Sequence, residues 1–152
     1  MTGSRASLLV FATLVLCTSF GEVATGLIVP ALPALGHKFG ETPVTIQLSL
    51  VAFSVMFAIG QLFFGPFSDR QGRRVALLFG AGLTLTGSVV SALGDSILMV
   101  VLGRAIQGLG GASGYVVSRA IVQDIYGADG APKAMAALFA LMAASFLAAP
   151  LV

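Results

Sequence analysis

An all-α, polytopic transmembrane bundle of about five helices is the fold class this sequence predicts, and three observations predict it. Of 152 residues, 57% are apolar and only 9% are charged, a balance no water-soluble core of this size needs. The apolar residues gather in runs of about 20 or more, the length that crosses the hydrocarbon of a bilayer. The polar residues sit in short stretches between those runs, where side chains reach water. The net charge of +2 comes from cations near the ends of apolar runs, so it reflects topology and gives no sign of nucleic-acid binding.

The first segment covers about residues 6–35. Arg5 followed by an apolar run has the outline of a secretory signal, but Leu16, not a small residue, precedes Cys17, and apolar character resumes through Leu35 with only Glu22 interrupting it. It therefore reads as a retained helix, closed by Pro30-Ala31-Leu32-Pro33. Cys17 lies inside it with no disulfide partner and no metal-ligand spacing, which makes it a small packing residue.

The second segment, about 44–67, carries Gln47, Ser54, Gln61 and Ser68 at intervals of seven, a polar stripe on one helix face that should avoid lipid. Gln47, Ser54 and Gln61, with Gln107, are candidates for lining a substrate cavity, although hydrogen bonding between helices explains such a stripe equally well. Phe53, Met56, Phe57, Phe63 and Phe64 add an apolar surface to which no role is assigned. The third segment, about 75–93, and the fourth, about 97–122, follow, the fourth with Gly110, Gly111 and Gly114 spaced for close helix packing. The fifth, about 133–152, ends at Pro150-Leu151-Val152 without a polar flank and reads as cut rather than finished.

Short connections at 37–43, 68–74, 94–96 and 124–132 make neighbouring segments antiparallel. Counting cations alone puts the N-terminus in the cytoplasm, with Arg5, Arg70, Arg73, Arg74, Arg119 and Lys133 inside and Lys38 outside. His37 and Lys38 belong to a solvated outer loop.

The charges carry the functional signal. Asp69 and Arg73, four apart, share a face if they are helical, though an exposed pair of this kind stabilises little. Glu22 and Arg104 lie inside apolar segments, where a lone charge costs at least ~3 kcal/mol and marks a functional candidate. A rise of about 1.5 Å per residue from the helix ends brings both to similar depth on the outer side of the midplane, where they can pair. Glu22 is suited to binding and releasing a proton, because desolvation raises a carboxyl pKa and a nearby guanidinium lowers it. Arg104 cannot carry that proton reversibly and would instead hold or release Glu22. A static ion pair that only orients two helices is the alternative. The sequence has no metal-binding spacing, no histidine within the apolar segments and no nucleotide-binding motif, so it predicts neither an enzyme nor a cofactor.

The run Gly65-x-x-x-Asp69-Arg70-x-Gly72-Arg73-Arg74 resembles the loop between the second and third helices of the major facilitator superfamily of transporters. Arg104-x-x-Gln107-Gly108-x-Gly110-Gly111-Ala112 resembles the fourth-helix motif of its proton-driven antiporters. The stretch from Arg119 through Asp124 to Tyr126 is similar to the bacterial exporters of bicyclomycin and chloramphenicol type, and Ala149-Pro150 resembles the first half of a helix-five step in drug:proton antiporters.

The resemblance implies the N-terminal part of a carrier in the cytoplasmic (inner) membrane. Such a carrier exports lipophilic drug-like molecules in exchange for protons by alternating access, with about twelve helices in two halves. It implies that Asp69, Arg73 and Asp124, with Arg70 and Arg74, form a latch closing the inner side, and that Gly65, Gly72, Gly108, Gly110 and Gly111 are motif glycines. One departure stands out: exporters of this branch commonly carry an acidic residue one turn before the helix-one proline, where this chain has Gly26, and Glu22 lies one turn earlier on the same face. The expected partners are the bilayer, substrate and protons, and further C-terminal helices or a partner half, without which the isolated chain is expected not to transport. A structural or regulatory membrane fragment, or a short protein that self-assembles, is the other reading.

Overall fold

The computed structural model describes the backbone of residues 2–148 and the side chains of residues 10–19, 26 and 28–144. Helices α1 (Thr2–Phe39), α2 (Pro43–Gln71) and α3 (Arg73–Ala92) are followed by a helical stretch, Ile97–Ala148. That stretch is two helices meeting at Gly127, whose φ of 63° and ψ of −174° belong to no helix. Residues 97–126 are α4 and 128–148 are α5, so the described residues form an all-helical bundle of five helices. Pro43–Gln71, Arg73–Ala92 and Ile97–Ala144 are each long and apolar enough to cross a membrane, and α1 adds the shorter apolar stretch Val10–Ser19.

The ends of the helices follow from local chemistry. Gly40 at φ 65° terminates α1 in a conformation that costs other residues more. Thr42 caps α2, its hydroxyl accepting from the Thr45 amide at 3.3 Å, and Pro43 occupies the first helical position, where a missing N–H costs nothing. Ser96 does the same for α4, accepting from the Met99 amide at 3.4 Å.

Three connections differ from the sequence expectation, the first because α1 runs through Phe39 and places His37 and Lys38 in its last turn rather than in a loop. The polar run 68–74 is not a loop: α2 continues through Gln71, α3 begins at Arg73, and only Gly72 interrupts them. Charge in a sequence reports contact with water, and a helix that extends beyond the hydrocarbon provides that contact while satisfying its own backbone. The joint itself needs glycine, since φ 93° and ψ 151° lie in a region closed to other residues. Residues 124–132 are likewise helical except at Gly127, with Pro132 near the start of α5.

At the centre runs α4. Half of its apolar stretch, 50%, is buried, against 22% for α2 and for α3, and α1, α2 and α3 meet the stretch Ile97–Ala148 much more than they meet one another. Glycine makes this possible. A Cβ on Gly108 would strike the Phe53 carbonyl of α2, and one on Gly114 would strike the Cys17 carbonyl of α1. On the α3 side a Cβ on Gly110 would lie 2.5 Å from the Gly80 carbonyl, and one on Gly87 2.5 Å from the Gln107 amide. The glycines of α4 are therefore packing residues serving three neighbours.

Between them lie Phe64, Ala76, Ala112 and Val117 in one apolar cluster, and Leu14, Val122 and Leu138 in another that joins α1, α4 and α5. Leu62, Leu78, Leu85 and Leu98 point outward, as expected of side chains that meet lipid.

Gly108→Ala should destabilise the bundle by roughly 1–3 kcal/mol, because overpacking here meets backbone rather than a movable side chain. Gly82→Ala, where nothing lies within 4 Å, should be neutral or gain up to about 1 kcal/mol from helix propensity. Unfolding in mixed micelles with increasing denaturing detergent measures both.

Candidate functional site

At the end of the bundle where α2 meets α3, Arg73 opens α3 and reaches three partners. Its Nη1 donates to Asp69 Oδ1 at 2.6 Å and to Ser68 Oγ at 2.7 Å, both on the last turn of α2. Its Nε donates to Asp124 Oδ2 at 3.1 Å on α4. Ser68 can serve because its own proton goes to the Gly65 carbonyl at 3.0 Å, leaving its oxygen free to accept. The cluster is solvated: the Asp69, Arg73 and Asp124 side chains are 65%, 30% and 57% exposed. Water competes for each bond, so the cluster orients the α2–α3 joint against α4 at modest energy. Arg70 and Arg74 are exposed and form no ion pair among the described residues, so the geometry separates them from Asp69, Arg73 and Asp124.

Deeper, Arg104 is 2% exposed and enclosed by polar and aromatic partners. Its Nη1 donates to Gln107 Oε1 at 2.6 Å, and the guanidinium carbon lies 4.3 Å from the centre of the Phe53 ring. The Gln107 amide nitrogen donates onward to Ser88 Oγ of α3 at 2.8 Å. Gln107 is thus an interhelical link, in the core rather than on an open wall. The side chain of Glu22 lies outside the described residues, which place only its backbone, on α1.

The polar stripe of α2 divides. Gln47 is exposed and borders a pocket of about 440 Å³ at the opposite end, between Leu32, Gly36 and His37 of α1 and Pro43 and Ile46 of α2. Ser54 is exposed, Gln61 is half-buried, and Ser68 belongs to the Arg73 cluster. A second, mostly apolar groove of about 290 Å³ runs between α1, α3 and α4, bordered by Leu16, Cys17, Ala81, Thr84, Gly110 and Gly111. Gly65 has open space where a Cβ would stand, unlike Gly108 and Gly110. No cluster of metal-binding side chains occurs among the described residues.

The family model of the Major Facilitator Superfamily matches residues 14–152. The chain belongs to that superfamily. Among its curated relatives is a chloramphenicol resistance protein of Pseudomonas aeruginosa, 38% identical over 118 residues, which covers 76% of this chain and 28% of the relative. Multidrug resistance protein D of Escherichia coli (strain K12) is 29% identical over 113 residues, 74% of this chain and 29% of its own length. A bicyclomycin resistance protein homolog of Haemophilus influenzae is 26% identical over 153 residues, all of this chain and 38% of the relative. This superfamily member spans about a third of the length of the curated relatives it matches.

Three participants in these clusters escaped the sequence reading. Ser68 appeared there only as part of a stripe, and Ser88 not at all, since neither carries charge. Arg119, read as a topological cation, lies over the rings of Tyr115 and Phe139 at 5.4 and 5.8 Å, fastening α4 to α5. Its four-residue spacing from Tyr115 was the available signal.

In a double-mutant cycle on Arg73 and Asp124, the coupling should be below about 1 kcal/mol in low salt, because both groups meet water. It should shrink further in 1 M salt, where the screening length is about 3 Å. Gly72→Ala should cost more, about 1–3 kcal/mol, because it strains the joint that holds the cluster.

Proposed function

We propose that these residues form the N-terminal helices of a carrier that exports small lipophilic drug-like molecules across the cytoplasmic membrane in exchange for protons. The N-terminus lies in the cytoplasm. The observation that carries the reading is Arg73, which bonds at once to the α2–α3 joint through Asp69 and to the inner end of α4 through Asp124. A contact of that kind favours one arrangement of the inner ends over another and so acts as a latch in alternating access. Its modest strength suits the role, since a shift of about 1 kcal/mol already changes a two-state ratio roughly fivefold. The drug-resistance names of the relatives supply the substrate class.

Glu22 on α1 binds and releases the proton, and Arg104 on α4 holds its carboxylate in one state and releases it in another. The exposed outer half of the α2 stripe, Gln47 and Ser54, faces the substrate path. No catalytic role is assigned to any residue. Since relatives are about three times as long, the complete path belongs to a longer protein that includes these helices, and the 152 residues alone do not transport.

The test is energised efflux of a fluorescent lipophilic substrate from cells lacking their own exporters, with membrane levels of each variant matched. Asp69→Asn should slow efflux by up to roughly fivefold, the change expected from about 1 kcal/mol. Glu22→Gln should abolish its dependence on the pH gradient. Undiminished proton-driven efflux in Glu22→Gln would remove Glu22 from the scheme, and full activity in Asp69→Asn would remove the latch.

A further inference from the structure

The direction of the hydrogen bonds around Arg104 is set from α3, a helix with no charged side chain between Val75 and Ala92. Ser88 has one hydroxyl proton, and it is donated to the Thr84 carbonyl at 2.8 Å. Its oxygen is left to accept, and the group that reaches it, at 2.8 Å, is the Gln107 amide nitrogen. With nitrogen turned to Ser88, the amide presents its oxygen to Arg104, whose Nη1 donates to it at 2.6 Å. The reverse orientation would set N–H against N–H at Arg104 and oxygen against an oxygen whose proton is already engaged at Ser88. Only one orientation of Gln107 therefore satisfies both neighbours.

The backbone makes room for this link. A Cβ on Gly87 would lie 2.5 Å from the Gln107 backbone nitrogen and 2.6 Å from the Gly103 carbonyl, so glycine at 87 lets α3 approach until Ser88 meets the Gln107 side chain. Phe53 of α2 covers one face of the guanidinium, with ring and cation 4.3 Å apart.

We propose that Ser88 is a positioning residue for Arg104, acting through Gln107. The hydroxyl holds the amide, the amide holds the guanidinium, and the orientation of a buried charge on α4 is thereby tied to the packing of α3. Movement of α3 along α4 would break the relay at Ser88 and loosen the hold that Gln107 has on Arg104. The consequence for proton coupling rests on the exporter reading above, whereas the relay itself does not.

The experiment is solid-state NMR of the full chain in lipid vesicles with ¹³C,¹⁵N-labelled arginine, the Arg104 signals being assigned by their loss in Arg104→Lys. A held guanidinium gives two separate Nη resonances that exchange slowly. Ser88→Ala should speed that exchange roughly tenfold, the fold-change of one lost hydrogen bond, and Gln107→Leu should do the same. Ser88→Thr, which restores the hydroxyl, should return it to the native rate. Unchanged exchange in Ser88→Ala overturns the proposal, and so does a Ser88→Thr variant that behaves like Ser88→Ala. Efflux by the same variants is a separate readout: proton-driven efflux that survives Glu22→Gln would sink the coupling scheme, while the NMR result still decides the role of Ser88.

Discussion

Backbone contact along α4 is the constraint on which the rest of this bundle depends. Hydrocarbon offers helices no hydrophobic incentive to associate, so they are held by close van der Waals contact and by hydrogen bonds that have no other partner. On α4 glycine recurs at 103, 108, 110 and 114, and the facing helices answer with Gly60, Gly80 and Gly87. Because these contacts lie on several sides of α4, the helix cannot rotate about its axis without driving a side chain into a neighbouring carbonyl. Its orientation then decides where Arg104, Gln107 and Asp124 point. The polar chemistry is a consequence of packing that contains no charged side chain.

The α2–α3 junction works by a different economy. Gly72 is one residue long as a connection, too short to let α2 and α3 drift apart, and Arg73 stands immediately after it. The position of the guanidinium is consequently settled by the backbone before any ion pair forms. Asp69, one turn back, and Asp124, on a separate helix, then need little energy to complete the cluster. Packing that is strong and charge that is weak divide the labour: the first sets the geometry and the second biases it. On the exporter reading, a stronger cluster would lock these helix ends together and oppose alternation.

How much of this the sequence disclosed depends on the kind of information involved. The fold class was legible because hydropathy and short polar connections suffice for it, and the glycine pattern of α4 pointed to packing because little else explains it in an apolar helix. The triad of Asp69, Arg73 and Asp124 was legible only through resemblance, as nothing in spacing alone brings residue 73 to residue 124. The helical state of residues 68–71 was not legible, since polarity tells where a segment is and not which backbone conformation it adopts. Ser88 was hidden for a related reason: a serine in an apolar helix commonly bonds its own backbone, as Ser88 does to Thr84, and only the facing helix reveals that its oxygen has a second task.

The two arginines show what burial changes. Arg73 meets water, so each of its partners can be replaced by solvent and none dictates its orientation alone. Arg104, at 2% exposure, has no such reserve, and its direction is decided by the groups the protein supplies. Among those described, an amide and an aromatic face are neutral, and they orient the guanidinium without competing in charge with a carboxylate. That choice of partners matters for the exporter reading. An acidic side chain in place of Gln107 would pair with Arg104 charge to charge, whereas the neutral amide steadies the guanidinium without neutralising it.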